Sequence, residues 1–241
     1  MKLSVIIPCY NERETVLTLL KKVENVDLGA IEKEIIVVDD CSTDGTRELL
    51  RDLAKDSKNI FLFQERNQGK GSALRAGFRR MTGDIVIIQD ADLEYDPNEY
   101  PQLIEPILRG EHRVVYGSRE RNALNRTHSG NTYYAGGLFL TWLTNLLYGS
   151  ALTDEPTCYK IFDAALLASI PLQCRRFEFC PEITAKLLRR GIVIKEVPIS
   201  YHPRRAKDGK KIKIRDGLQA IWTLIKYRYI SDITCEISPH Q

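Results

Sequence analysis

No run in this 241-residue chain approaches the roughly 20 continuous apolar residues of a membrane-spanning helix. Its most apolar stretch, Tyr133 to Tyr148, is interrupted by Gly136, Gly137, Thr141, Thr144 and Asn145, which argues against an integral membrane protein. No secretory leader is expected either, because Met1 to Pro8 offers few apolar residues before a proline and the polar run Asn11-Glu12-Arg13-Glu14. The expected location is the cytoplasm. Cysteine is sparse: Cys9, Cys41, Cys158, Cys174, Cys180 and Cys235 form neither a CxxC pair nor a metal-knuckle spacing. That excludes a disulfide scaffold and leaves reduced, mostly structural thiols. A G-x-x-x-x-G-K-[ST] loop and a G-x-G-x-x-G after the first apolar run are both absent, against a P-loop nucleotidase or a nicotinamide enzyme. With no Ser/Gly linker and no internal repeat, residues 1–241 are expected to form a single domain whose second half decorates the sheet of the first.

Charge of one sign is also lacking overall, with 35 Lys and Arg against 32 Asp and Glu. Its placement is uneven. Residues 1 to 100 carry 14 basic and 19 acidic side chains, and residues 101 to 241 carry 21 and 13. The acidic half suits a cation and the basic half an anion. Up to residue 117, short β-branched runs alternate with amphipathic helical patterns, which predicts an α/β fold with βαβ units around a mainly parallel sheet. Strands are expected at Leu3 to Pro8, Glu34 to Asp39, Ile60 to Phe63, Asp84 to Gln89 and Val114 to Gly117. Asn11 and Glu14 suggest a reciprocal cap for the first helix. Beyond Gly117 the pattern predicts a polar loop over Ser118 to Ser129, and helices over Tyr133 to Tyr148, Phe162 to Ile170, Cys180 to Arg189 and Arg215 to Tyr229. A strand is expected over Ile192 to Tyr201.

Chemistry concentrates where strands end. Gln89-Asp90-Ala91-Asp92-Leu93-Glu94 follows the most apolar strand, and ligands of open α/β sheets bind at such carboxyl ends. Alternation sends Asp90 and Asp92 to one side, where a hard cation such as Mg²⁺ or Mn²⁺, bridging a diphosphate, would relieve their repulsion. The plainer alternative is that these acids cap the helix near Pro97. Asp39-Asp40 ends the second strand, where a carboxylate can accept two N–H donors from a uracil or guanine edge or else form a simple turn. Asn67-Gln68-Gly69-Lys70-Gly71 places glycines and a lysine before a helix, so that backbone N–H groups and one cation could approach an anion.

Taken in order with Val5-Ile6-Ile7-Pro8-Cys9-Tyr10-Asn11-Glu12 and Val37-Val38-Asp39-Asp40-Cys41-Ser42-Thr43-Asp44-Gly45-Thr46, these motifs resemble the family-2 inverting glycosyltransferases of GT-A fold. The resemblance runs through about the first 120 residues, and the closest subgroup is the dolichyl- and polyprenyl-phosphate mannose or glucose synthases. It implies that Pro8, Tyr10, Glu12 and Asp39 hold the nucleotide, with Lys70 beside them, and that Asp90, Asp92 and Glu94 hold the metal and diphosphate. Glu94 stands where the subgroup often has Gln. Val115-Tyr116-Gly117-Ser118-Arg119, Asp154 to Phe162 and Glu196-Val197-Pro198-Ile199 carry the resemblance onward. By that correspondence Arg119, Arg126, Arg204, Arg205 and Lys211 meet the acceptor phosphate and diphosphate, and residues 118–241 form the acceptor half.

The residues agree. Nine Lys or Arg and two Asp fall within residues 201 to 230, and arginine suits bidentate phosphate contacts, although a solvated charge run has the same composition. The helices over Tyr133 to Tyr148 and Arg215 to Tyr229 suit either a membrane interface or packing on the core. The expected reaction is inverting transfer of a hexosyl group from GDP-mannose or UDP-glucose to a polyprenyl or dolichyl phosphate at the cytoplasmic membrane face, with Asp92, Asp90 and Arg204 catalytic. No nucleic-acid partner is expected. A hydroxyl acceptor would need a carboxylate base, with Asp154 or Glu155 the place to look. Transfer to a glycan or soluble acceptor, and a non-catalytic nucleotide-sugar-binding subunit, are the competing readings.

Overall fold

The computed structural model describes residues 1–127, 131–204 and 214–230. In chain order its elements are β1 Lys2–Cys9, α1 Val16–Asn25, β2 Glu32–Asp39, α2 Thr46–Leu53, β3 Ile60–Phe63, α3 Lys70–Phe78 and β4 Ile85–Ile88. They continue with α4 Tyr100–Leu108, β5 Val114–Ser118, α5 Asn131–Tyr148, β6 Lys160–Asp163, α6 Ala164–Ala168, α7 Phe179–Arg189, β7 Ile194–Pro198 and α8 Ile214–Tyr229. One seven-stranded sheet, ordered β3-β2-β1-β4-β6-β5-β7, draws strands from both halves. It is parallel except for β6, which runs antiparallel between β4 and β5.

The near-continuous apolar sequence of β1 follows from its central place. Leu3, Val5 and Ile7 pack on one face with Leu19 and Val23 of α1 and Leu103 and Ile104 of α4. Ile6 points to the other face, toward Leu74 of α3, Leu167 of α6 and Phe179 and Ile183 of α7. Fully burying each such side chain contributes roughly 1.5–3 kcal/mol. A third cluster joins Ala185 of α7 to Leu224 and Tyr227 of α8, with Leu140, Leu143 and Leu147 of α5 against it. The outer faces of α5 and α8 expose Leu138, Phe139, Trp142 and Leu146 and, on α8, Leu218 and Trp222. Among the described residues, no helix is long and apolar enough to cross a membrane.

Four local expectations need correction. Phe162 belongs to β6, not to a helix: Asp163 caps α6 by accepting the Leu166 N–H at 2.7 Å, so the helical spacing of Leu166, Leu167 and Ile170 starts only after it. Asn11 caps nothing. It adopts φ 51°, five residues ahead of α1, and its side-chain oxygen accepts the Thr43 N–H at 2.8 Å, tying the loop after β1 to the loop after β2. The stretch expected as loop after Ser118 contains a 3₁₀ turn, Ala123–Thr127, and the strand expected over Ile192 to Tyr201 is confined to β7.

Candidate active site

The three parallel strands β2, β1 and β4 end at the same edge, which brings Asp39, the segment from Tyr10 to Glu12, and the segment from Gln89 to Glu94 together. Three non-glycine residues at this edge have left-handed backbones: Asn11 (φ 51°), Cys41 (φ 63°) and Leu93 (φ 64°). Asparagine tolerates that region, whereas Cys and Leu store strain there, as residues at functional edges often do.

Asp39 is fully buried and accepts the Ser42 N–H at 3.2 Å, with Arg47 Nη1 3.5 Å away, so the turn reading of this pair is realised. Its neighbour Asp40, passed over as a site residue in the sequence, clamps the loop before α3 by accepting the N–H groups of Gln68 at 2.8 Å and Gly69 at 2.7 Å. Burial raises the Asp40 pKa, and those two donors oppose the rise. The Gly71 and Ser72 N–H groups go instead to the carbonyls of Arg176 and Arg175, at 3.1 and 2.8 Å. Four backbone donors of the loop are therefore bonded within the chain, contrary to the expected anion cradle. The glycines serve closeness to the chain itself. A Cβ on Gly69 would stand 2.7 Å from the Arg175 carbonyl oxygen, and one on Gly71 2.8 Å from that of Cys174.

What the loop delivers is Lys70. Its ammonium lies 2.6 Å from Asp90 Oδ1 and 3.0 Å from Cys158 Sγ. Burial alone would raise the Asp90 pKa, but Lys70, Cys158 and Arg204 together outweigh it and the carboxyl sits below its ordinary range. Gln89, buried behind Asp90, accepts from the Tyr100 and Tyr159 hydroxyls at 2.7 Å each and donates to the Asp90 carbonyl at 2.9 Å. It fixes the start of the acidic segment. The plainer reading of Asp90 and Asp92 as helix caps does not hold, because Asp96 takes that role for the turn Pro97–Glu99 by accepting the Asn98 N–H at 3.1 Å.

Asp92 is electrostatically unsettled. Burial, together with Asp90 and Glu94, pushes its pKa up to about 6, against the pull of Arg204. Arg204 reaches it from the far end of the chain: Nη2 is 2.9 Å from Asp92 Oδ2, and the same guanidinium grips both oxygens of Glu12 at 2.8 and 3.0 Å. Glu94 holds this arm by its backbone and side chain, accepting the Arg204 N–H at 2.9 Å and the Tyr201 hydroxyl at 2.9 Å, while its own carbonyl takes the His202 N–H. Pro8 is buried in β1 and Tyr10 half-buried just after it.

Among the described residues, no three His, Cys, Asp or Glu side chains form a ready metal cage. The acidic segment nevertheless fits a divalent ion that takes most of its ligands from substrate oxygens and water, because burial and two like charges raise the Asp92 pKa and Arg204 is the cation that opposes them. Arg119, expected as an acceptor clamp, is locked: Nε and Nη2 each reach Asp154 at 2.7 Å and its guanidinium lies 5.1 Å over the Tyr201 ring. The side chain of Arg126, and all of Arg205 and Lys211, lie outside the described residues.

Comparison with known proteins follows the same lines. Residues 4–167 match the family model described as Glycosyl transferase family 2. Undecaprenyl-phosphate 4-deoxy-4-formamido-L-arabinose transferase of Edwardsiella ictaluri is 32% identical over 211 residues, 86% of this chain and 62% of that protein. Dolichol-phosphate mannosyltransferase of Pyrococcus furiosus is 40% identical over 119 residues, 49% of this chain and 33% of that one. This chain thus spans less than two thirds of the length of these relatives. Glucosyl-3-phosphoglycerate synthase of Mycobacterium tuberculosis, crystallised with Mn²⁺, uridine diphosphate and phosphoglyceric acid, superposes with a TM-score of 0.74 at 22% identity, covering 96% of this chain and 80% of that one. Its likeness establishes the GT-A fold expected from the motifs. With the family model spanning the strand ends that carry Glu12, Asp39, Lys70 and Asp90 to Glu94, the chain belongs to glycosyl transferase family 2.

Proposed function

We propose that the protein transfers a hexosyl group, with inversion, from a nucleotide sugar such as GDP-mannose or UDP-glucose to a polyprenyl or dolichyl phosphate. One observation carries the choice of acceptor. A hydroxyl acceptor needs a carboxylate base, and neither candidate is within reach of a substrate: Asp154 is bonded through both oxygens to Arg119, and Glu155 is fully buried. A phosphate acceptor is already an anion near neutral pH and needs no base. The relatives, an undecaprenyl-phosphate and a dolichol-phosphate transferase, support the same class.

In this reading residues 1–117 hold the donor and the remainder meets the acceptor. Asp39 faces the base at the end of β2, and Glu12 the ribose. Asp92, with Asp90 and Glu94 beside it, would hold a Mg²⁺ or Mn²⁺ ion, which would supply positive charge to neutralise the leaving diphosphate. Arg204 must exchange carboxylates for phosphate oxygens as the donor enters, moving from Glu12 and Asp92 to the leaving group, while Lys70 stays against Asp90 and keeps that carboxylate ionised and oriented. Arg119 acts as a positioning residue through Asp154 and Tyr201. Arg126, Arg205 and Lys211 are proposed to complete the phosphate contacts. The exposed apolar faces of α5 and α8 suit a peripheral position on the cytoplasmic membrane surface, where the acceptor resides.

The test is transfer of radiolabelled sugar from each donor to a polyprenyl phosphate, with Mn²⁺ present and after chelation. Label is expected in the organic extract only with metal. Label confined to water would overturn the lipid acceptor, and equal transfer in chelator would overturn the metal.

A further inference from the structure

Away from the strand ends, a groove of about 520 Å³ opens between the loop that precedes α3, the segment that precedes α7 and the first turns of α8. Three arginines line it, Arg66, Arg175 and Arg176, with Gln68 and Gln219 among them. None of Glu12, Asp39, Asp90 or Asp92 does. The walls are fixed by the bonds already described, Gln68 and Gly69 to Asp40 and Gly71 and Ser72 to the carbonyls of Arg176 and Arg175. The amides of Gln68, Gly69, Gly71 and Ser72 are consumed in holding those walls, so the charge offered to the groove comes from side chains.

The charge of the groove is not cancelled from within. Arg66 and Arg175 are exposed and make no ion pair or side-chain hydrogen bond with any described residue. Arg176 approaches Asp216 at 3.6 Å through an Nε that is buried and makes no hydrogen bond there. Glu178, the other acid at the groove, is buried and accepts the Arg175 backbone N–H at 3.1 Å. Against one acid on each of Arg176 and the backbone, two guanidinium groups stay uncommitted on a rigid wall. Planar forks of this kind match the tetrahedral oxygens of a phosphate, and amide side chains add neutral donors.

We propose that this groove is a phosphate-binding site distinct from the donor site, taking a phosphate group carried by a lipid headgroup or by a free phosphate ester. The headgroup source has a geometric basis. Gln219 stands on α8 between Leu218 and Trp222, both more than 60% exposed, so a surface that receives those apolar side chains would present its phosphates to the groove.

The experiment compares the protein with a double variant, Arg66→Gln with Arg175→Gln, and with a control, Arg79→Gln with Arg80→Gln, which removes equal charge from exposed positions at the end of α3. Binding of inorganic phosphate is titrated calorimetrically, and binding to vesicles of phosphatidylcholine with and without phosphatidylglycerol is measured by flotation. The groove variant should bind phosphate roughly thirtyfold more weakly, at about fivefold per lost arginine, while the control is unchanged. A matching loss on phosphatidylglycerol vesicles alone identifies a headgroup. A loss for inorganic phosphate with unchanged vesicle binding identifies a free ester. Equal phosphate binding by the protein and the groove variant, or an equal loss in the control, overturns the site. Melting curves of all three proteins confirm that they are folded, and none of these readouts depends on sugar transfer.

Discussion

The two edges of the sheet hold carboxylates in opposite condition. At the amino edge, Glu34 of β2 accepts the Ser4 hydroxyl, the Thr82 N–H at 2.6 Å and hydroxyl at 2.8 Å, and the Gly83 N–H at 3.1 Å, with Lys2 Nζ at 3.0 Å. Burial would raise its pKa, but these donors together lower it to about 2. At the carboxyl edge, burial and two like charges push Asp92 up to about 6. Donors crowd the carboxylate that only has to hold strands together. They are scarce at Asp92, the one proposed to receive a cation, and on that proposal the scarcity is what a site left open for substrate costs in stability.

The contrast breaks most visibly at Asp92. Asp92→Ala should lower transfer by about 10³-fold or more, some 4 kcal/mol of barrier, while the melting temperature moves by only a few degrees. Transfer kinetics and a thermal melt on the same preparation check both halves. Near-normal turnover would remove Asp92 from the chemistry, and a large loss of melting temperature would make it structural like Glu34.

Next in size is the difference between the two cations of the site. Lys70→Met takes from Asp90 the cation 2.6 Å away in the buried edge and should destabilise by about 3 kcal/mol, roughly 6–12 °C in a chain of this size. Arg204→Ala removes a cation whose partner Asp92, with a pKa already pushed up to about 6, can neutralise itself by taking a proton, so its thermal cost should be about 1 kcal/mol, with transfer falling far more. Equal melting losses would show that the arm is as much a part of the folded frame as α3.

A smaller effect separates packing from phosphate binding at Gly69. With φ at 93° and its Cβ position 2.7 Å from a carbonyl oxygen, Gly69→Ala should cost about 2 kcal/mol of stability. A glycine that merely admitted a phosphate would lose nucleotide affinity at constant melting temperature, so measuring both distinguishes the roles.

Which parts of this site could be read from the residues follows from the range of the interactions. Strand ends were legible because β-branched runs and the acids after them are local, and the motif order located Glu12, Asp39, Lys70 and Asp90 to Glu94 at one edge. Asp40, Gln89 and the two glycines were legible as residues but not as roles, since their partners lie at Gln68, at Tyr100 and Tyr159, and at Arg175, up to 106 positions away. β6 was lost for a related reason: four residues give too short a period to distinguish a strand from the helix that follows, and only its place between β4 and β5 decides. The lock on Arg119 likewise depends on Asp154, 35 residues on.

The smallest predicted effect tests the satisfied edge by pH. Glu34 has a folded pKa of about 2, below the usual carboxylate value near 4.5, so its stabilisation is fully present above about pH 5 and is lost as pH falls toward 2. Glu34→Gln cannot ionise and should melt lower than the parent at neutral pH by the worth of a charged hydrogen-bond set, about 1–2 kcal/mol. The gap between the two melting curves should then narrow steadily from pH 5 downward and vanish near pH 2. A gap that stayed constant would mean that the donors around Glu34 favour its shape and not its charge, and the difference between the two edges would then reduce to Asp92 alone.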